Sequence, residues 1–195
     1  MLLLILGLVL FLGLHSFKIV APVHDGLTRI LGETGYKILY SIGSLIGLIA
    51  IAEGYKAWKY VDGAPILYTP PTWLAHIALL LMLIAFVVLP AAYMNGYIRK
   101  TLKHPMLVAV KLWAFAHLLA NGDAASVVLF GAFLAWAVVD RISVKKRERA
   151  GLAAPAAFTP RISADIGAVA IGLIVYVLFV WKVHLWLIGV SPIAM

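Results

Sequence analysis

Residues 105–142 have the sequence PMLVAVKLWAFAHLLANGDAASVVLFGAFLAWAVVDRI. Two apolar runs, Pro105–Ala120 and Ala124–Ile142, are separated here by an Asn-Gly-Asp turn. Runs of this kind are typical of membrane-spanning helices, which need roughly 20 apolar residues. Gly122 suits a left-handed residue at the end of one helix, and Asp123 suits the cap of the next. The stretch therefore predicts two membrane helices joined by a tight turn.

Four further apolar runs extend this pattern along the 195-residue chain. Hydrophobic residues make up 64% of the sequence and charged residues 12%, far outside the range of soluble domains. We predict an all-α fold, a polytopic membrane helical bundle of about six transmembrane helices, in a single domain of residues 1–195. The first run lacks a basic leader and a cleavage site, so we expect a retained span. The expected spans are Leu2–Val20, Tyr36–Trp58, Trp73–Tyr93, Pro105–Ala120, Ala124–Ile142 and Ala164–Leu187.

Basic residues divide unevenly between alternate connections of this six-span arrangement. Thirteen of the sixteen Lys and Arg residues fall on one side, and only Lys56, Lys59 and Lys182 fall on the other. Because cytoplasmic loops are enriched in Lys and Arg, we predict that both termini lie on the non-cytoplasmic side. Lys145–Arg149 and the residues up to Pro155 are expected to form a solvated cytoplasmic loop beside lipid headgroups, with no nucleic-acid partner. The thirteen are Lys18, Arg29, Lys37, Arg99, Lys100, Lys103, Lys111, Arg141, Lys145, Lys146, Arg147, Arg149 and Arg161.

Histidine is the residue type that carries the remaining chemistry. The chain has no cysteine, which excludes disulfides, zinc–thiolate sites, iron–sulfur clusters and thiolate nucleophiles. It also lacks an HExxH motif, a P-loop and a Ser/His/Asp arrangement. Five of its six histidines lie inside or at the ends of the apolar runs. An ionisable side chain inside a membrane is a functional-site hypothesis by default.

Two of these histidines lie deep in the predicted spans. His15 is about 9 Å from the cytoplasmic end of its run, and its helical neighbours are apolar, so nothing local is expected to satisfy its ring. His117 is about 18 Å from the corresponding end of the fourth run. Two interpretations stay open for each. The imidazole either forms a structural hydrogen bond, for His117 through Asp123, or ligates a metal or haem, since imidazole is the commonest metal ligand.

The other histidines are weaker candidates. His104 precedes Pro105, which suits the first position of a helix. His104 and His117 are about 20 Å apart along one helix, so they cannot bind the same metal ion. The remaining histidines are expected at membrane interfaces or at the surface, and they are His76, His184 and His24.

Three segments resemble the signature of the NnrU family of integral membrane proteins. Residues 103–123 contain Lys-His-Pro-Met followed by Leu-Trp-Ala-Phe-Ala-His-Leu-Leu-Ala-Asn-Gly-Asp, and the others are Gly13–Ser16 and Ser126–Asp140. The resemblance covers nearly the whole chain, and its combination of His-Pro with Ala-His and Asn-Gly-Asp is fairly specific. It implies a protein of the bacterial inner membrane that is associated with denitrification and nitric oxide metabolism.

The domain is also similar to that of plant 15-cis-zeta-carotene isomerase, a membrane enzyme that holds haem b. That resemblance implies a haem b cofactor here, with His15 and His117 as metal ligands and His104 at the position of the His-Pro histidine. By depth along the helices, His104 is the alternative partner of His15. Ala114 stands where the relative has a cysteine, so an exchange of cysteine and histidine ligands is not available to this chain. Further candidate cofactor-binding residues in the motif are Trp113, Asn121 and Asp123.

Three functions are compatible with these residues. The first is a haem b membrane protein with bis-histidine iron between the first and fourth spans, which handles electrons or a diatomic gas. The second is a redox-gated cis–trans isomerase of a polyene lipid. The third is a cofactor-free assembly factor for a respiratory complex, in which the histidines join helices through hydrogen bonds.

Overall fold

The computed structural model describes residues 1–17, 19, 21–61, 64–152 and 157–193. These residues are almost entirely helical, and the one strand-like pairing among them is an isolated bridge between Ile66 and Asp123. The expected end of the first span, with Lys18 and Val20, lies outside the described residues. The helices are α1 (Leu2–His15), α2 (Ala21–Lys59), α3 (Trp73–Ala91), α4 (Tyr97–Leu102), α5 (Pro105–Ala120), α6 (Ala124–Arg149), α7 (Ile162–Leu178) and α8 (His184–Ile188).

The helices confirm the prediction of an all-α membrane bundle. Within the described part of the chain, four are long and apolar enough to cross a bilayer: α2 from Val23, α3, α6 and the continuous run Ile162–Ile188. The other two apolar helices are shorter, with 14 residues in α1 and 16 in α5. At about 1.5 Å per residue these two cover roughly 21–24 Å of a hydrocarbon core about 30 Å thick. The count of six spans and the orientation of the termini stay predictions.

The chain divides into two compact units. The first contains Met1–Tyr68 and Gly122–Arg149, and the second contains Thr69–Asn121 and Ala150–Met195. Each unit is described separately below, and the single-domain organisation stays a prediction.

In the first unit, α1 packs along the C-terminal part of α2 through glycines. A Cβ atom on Gly7 would lie 2.6 Å from the backbone nitrogen of Ile51, and one on Gly54 would lie 2.7 Å from the Cα of Leu4. The residue pairs run in opposite directions along the two helices, so the helices are antiparallel. Apolar side chains gain nothing by leaving lipid, so close backbone approach at small residues is what holds such helices together. Leu4 is fully buried in this contact.

Helix α2 begins earlier than the sequence predicted. The expected span started at Tyr36, whereas the helix starts at Ala21 and is interrupted at Gly32, where φ is 70° and ψ is 167°. Only glycine adopts this conformation readily, because it has no Cβ to clash with the backbone. The expected span therefore lies in the longer helical segment that follows the kink.

Helix α6 is longer than the sequence predicted. The prediction ended it at Ile142 and made Lys145–Arg149 a solvated loop, but the helix continues through Arg149. Lys, Arg and Glu have high helix propensity, and Arg141 Nη1 lies 3.8 Å from a Glu148 carboxylate oxygen. The part of the expected loop at residues 153–155 lies outside the described residues.

In the second unit, α3 contacts both α5 and α7. A Cβ on Gly172 of α7 would lie 2.6 Å from the Cα of Val87 in α3. Ala114 of α5 and Ala168 of α7 are fully buried. Small side chains thus let the three helices approach closely, as in other membrane bundles.

The C-terminal helix of the second unit changes its geometry before it ends. A π-helical turn, Phe179–Val183, joins α7 to α8. Helix α8 then ends at Gly189, which has a φ of 84° in the left-handed region. Such a glycine is a common helix terminator, and here it turns the following chain back toward α8.

We predict that Gly54→Val separates α1 from α2, because the added side chain has no room against Leu4. Overpacking of this kind costs about 1–3 kcal/mol of stability. The measurement is the thermal unfolding midpoint of the detergent-solubilised protein. Gly13→Val is the matched control, because a Cβ at Gly13 meets nothing within 4 Å. Equal midpoints for the two variants would contradict the close packing of α1 on α2.

Candidate functional site

His117 lies on the last turn of α5, where its ring orientation is fixed by the backbone. Its Nδ1 lies 2.8 Å from the Trp113 carbonyl oxygen one turn earlier. A carbonyl oxygen only accepts, so Nδ1 carries the proton and the neutral ring has its lone pair on Nε2. The Trp113 ring centroid is 5.4 Å from that of His117, and the Asn121 side-chain amide donates to the His117 carbonyl at 3.0 Å. The structure thus brings together three of the predicted site residues.

His117 faces an apolar cavity of about 210 Å³ within the second unit. Helix α3 supplies Met82 and Phe86 to its wall, and the α7–α8 run supplies aromatic side chains and His184. Such a lining keeps the local dielectric low and strengthens electrostatic interactions inside. The lining residues are Ala75, Ala78, Leu79, Met82, Phe86, Ala116, His117, Ala120, Asn121, Tyr176, Phe179, Val180, His184, Val190, Ser191 and Pro192.

His184 is the site residue to which the sequence gave little weight. Its ring centroid lies 6.5 Å from that of His117, with an angle of 23° between the ring planes. Its Nδ1 lies 2.7 Å from the carbonyl oxygen of Val190. The sequence did contain one signal of this proximity. His117 and His184 both lie just before the predicted outer ends of their spans, and so at a similar depth in the membrane. The prediction that His184 lies at a membrane interface did not anticipate that its ring lies beside that of His117.

His15 belongs to the first unit, where aromatic rings surround it. Its Nδ1 lies 2.7 Å from the Phe11 carbonyl oxygen, so the expectation that nothing local satisfies the ring is wrong. The ring stacks on Phe11 with centroids 4.2 Å apart, and the centroids of Tyr40 and Trp136 are 5.1 and 6.1 Å away. His15 and His117 belong to different units, and their pairing stays a prediction.

His104 occupies the N-cap position of α5, directly before Pro105, as the sequence predicted. It therefore lies at the opposite end of that helix from His117. Its alternative role as the partner of His15 also stays a prediction.

Asp123 is the N-cap of α6, which confirms its predicted structural role. One carboxylate oxygen accepts from the backbone amide of Ser126 at 2.9 Å. The other accepts from the Ser126 hydroxyl at 2.7 Å and from Lys59 Nζ at 3.1 Å. Lys59 also donates to the Tyr55 hydroxyl oxygen at 2.9 Å. This polar cluster joins the end of α2 to the start of α6 inside the first unit.

The carboxylate of Asp123 is held in its charged form. Burial raises its pKa, but the hydrogen bonds from Ser126 and Lys59 outweigh burial, so its pKa lies below the ordinary value. The side chains of Lys59 and Asp123 are only 18% and 19% exposed. Sequence reasoning missed this pair because the two residues are distant in the chain.

Gly122 does not have the left-handed conformation that the sequence predicted, since the described glycines with positive φ are at positions 32, 151 and 189. The residue is needed for a close approach instead. The Leu67 amide donates to the Gly122 carbonyl at 2.8 Å, and a Cβ on Gly122 would collide with the Tyr68 carbonyl. The Ala124 amide donates to the Pro65 carbonyl at 2.9 Å, which completes this contact.

Among the residues that the structure describes, no group of three or more His, Cys, Asp or Glu side chains is arranged to hold a metal ion.

Comparison with known proteins identifies one relationship. A family model described as NnrU protein matches residues 3–192, which confirms the resemblance seen in the sequence. No curated protein and no solved structure matches the chain.

We predict that Lys59→Met lowers the stability of the protein, because it leaves the carboxylate of Asp123 buried without its cation. Breaking a hydrogen-bonded, partly buried pair costs on the order of 2–3 kcal/mol. Denaturant unfolding of the purified protein measures the loss. Lys56→Met is the control, because its pair with Glu53 is 51% and 61% exposed and contributes little. If both variants lose the same stability, the cluster has no special role.

The lowered pKa of Asp123 predicts a pH dependence with a defined sign. Its stabilising contribution is complete above about pH 4, the ordinary pKa of an aspartate, and is lost as the pH falls through its lower folded pKa. The difference in unfolding midpoint between the wild type and Asp123→Asn should therefore be largest near neutral pH and shrink in acid. A difference independent of pH would contradict the assignment.

Proposed function

We propose, from the premise that the chain belongs to the NnrU family, that this integral membrane protein binds haem b and that His117 would hold its iron. The observation that supports the proposal is the environment of the His117 ring. The ring borders an apolar cavity. The Trp113 carbonyl holds it in the tautomer that has its lone pair on Nε2. A hydrogen bond from the second ring nitrogen to a carbonyl is the usual companion of a metal-ligating histidine.

The residues around His117 fit a haem. Phe86 and Phe179 offer aromatic surface, and Met82 offers a flexible apolar side chain. The cavity is smaller than the roughly 300–1,000 Å³ of sites that enclose a whole ligand, so it would enclose only part of a macrocycle. Bound haem supplies one-electron chemistry or binding of a diatomic gas.

The residues of the chain have separate tasks in this proposal. The Trp113 carbonyl orients the imidazole and raises its basicity, which strengthens its bond to a metal. Asn121 completes the end of α5 by donating to the His117 carbonyl. The apolar wall excludes water, and a dry surrounding is one of the means by which a protein sets the reduction potential of iron.

A diatomic gas is the ligand class that we favour, since the NnrU family is associated with denitrification and nitric oxide metabolism. This association also makes the bacterial inner membrane the proposed location. The isomerase alternative has less support, because the fully buried Ala114 occupies the position of the relative's cysteine and has no ligating atom.

We predict that the full chain, purified in detergent from a haem-replete host, shows the Soret absorption of haem b, and that His117→Ala largely loses it. His24→Ala is the control and should retain the wild-type spectrum, because His24 contacts the exposed Asp25. Absorption spectra of the oxidised and reduced proteins measure the effect. Wild-type protein without pigment would instead favour the assembly factor, and a His117→Ala protein with an unchanged spectrum would exclude this ligand.

A further inference from the structure

The cavity of the second unit contains two imidazoles. His117 reaches it from α5, and His184 reaches it from the start of α8. Their ring centroids are 6.5 Å apart. Two imidazoles on opposite sides of one metal, with bonds of about 2.1 Å and ring nitrogens roughly 1.1 Å from each centroid, have centroids about 6.4 Å apart. The two rings are therefore close enough to share one metal.

Each of the two imidazole rings forms a hydrogen bond from Nδ1 to a backbone carbonyl. The Nδ1 atom of His184 donates to the Val190 carbonyl at 2.7 Å, as that of His117 donates to the Trp113 carbonyl. Each hydrogen bond leaves the lone pair of the neutral ring on Nε2, the atom that would ligate.

The backbone around His184 departs from a regular helix on both sides. The π-helical turn Phe179–Val183 directly precedes it, and such turns occur frequently at functional sites because they change the direction in which later side chains point. Gly189 follows with a φ of 84°, which returns the chain so that the Val190 carbonyl reaches the ring. Val190 also lines the cavity. The π-helical turn and the left-handed glycine together thus determine where the His184 imidazole lies.

We infer that His184 is the second axial ligand of the haem iron that His117 holds. This inference rests on the proposed haem function and adds a ligand that lies in the same unit as His117, and a diatomic gas would have to displace this ligand to reach the iron. It assigns His15 a different task, which is to pack against the aromatic rings of Phe11, Tyr40 and Trp136 in the first unit.

The test compares His184→Ala, His15→Ala and His76→Ala in the full-length protein, by absorption and electron paramagnetic resonance of the ferric state. We expect the wild type to be low-spin and His184→Ala to become high-spin. His15→Ala should remain low-spin. His76→Ala is the control, since this exposed histidine is on α3 in the same unit.

Added imidazole separates ligation from a structural role. In His184→Gly, free imidazole should enter the space left by the side chain and restore the low-spin signal, which it would not do if His184 only supported the fold. If the alanine and glycine variants do not purify, His184→Met keeps a ligand, and we then expect a higher reduction potential.

These experiments distinguish failure of the proposed function from failure of this inference. A wild type without haem overturns both the proposed function and this inference. Haem that depends on His117, with a spectrum changed by His15→Ala but not by His184→Ala, overturns this inference alone and leaves the proposed function intact.

Discussion

A hydrogen bond to the backbone carbonyl four residues earlier defines each deep histidine of this protein. His15 donates to the Phe11 carbonyl, and His117 donates to the Trp113 carbonyl, at 2.7 and 2.8 Å. A bilayer offers no water to satisfy an imidazole, so a helix that carries one has to supply the partner itself. The bond fixes both the rotation of the ring and the position of its lone pair. The capacity of His117 to ligate a metal depends on this bond.

The need to give every buried polar group a hydrogen-bond partner also explains where the buried charged residues lie. Lys59 and Asp123 are mostly buried, yet each polar atom of their cluster has a partner in Tyr55 or Ser126. Ser126 is fully buried and donates its hydroxyl to the carboxylate, so its role is structural. The cluster lies at the termini of α2 and α6, where capping also satisfies a free backbone amide. Polar side chains inside the first unit therefore strengthen the junction between helices.

Much of the helical architecture was predictable, because apolar length is a direct physical requirement of a span. The bounds of α5 and the cap at Asp123 followed from proline and aspartate preferences. Local sequence could not show that Lys145–Arg149 continues α6, since basic residues suit both a helix and a solvated loop. It could not show that Gly122 makes room for the Tyr68 carbonyl, which is a contact between distant segments. His184 was missed for a related reason, since its position depends on a π-helical turn that no hydrophobic period reveals.

Pulsed electron paramagnetic resonance of the ferric wild type, labelled with ¹⁵N only at histidine, tests the central claim most directly. The account predicts coupling of the unpaired electron to labelled imidazole nitrogen, in addition to the unlabelled nitrogens of the macrocycle, and a weaker labelled signal when His117 is replaced, because His184 remains. Protein that contains haem but shows no coupling to labelled nitrogen would contradict histidine ligation in this membrane bundle.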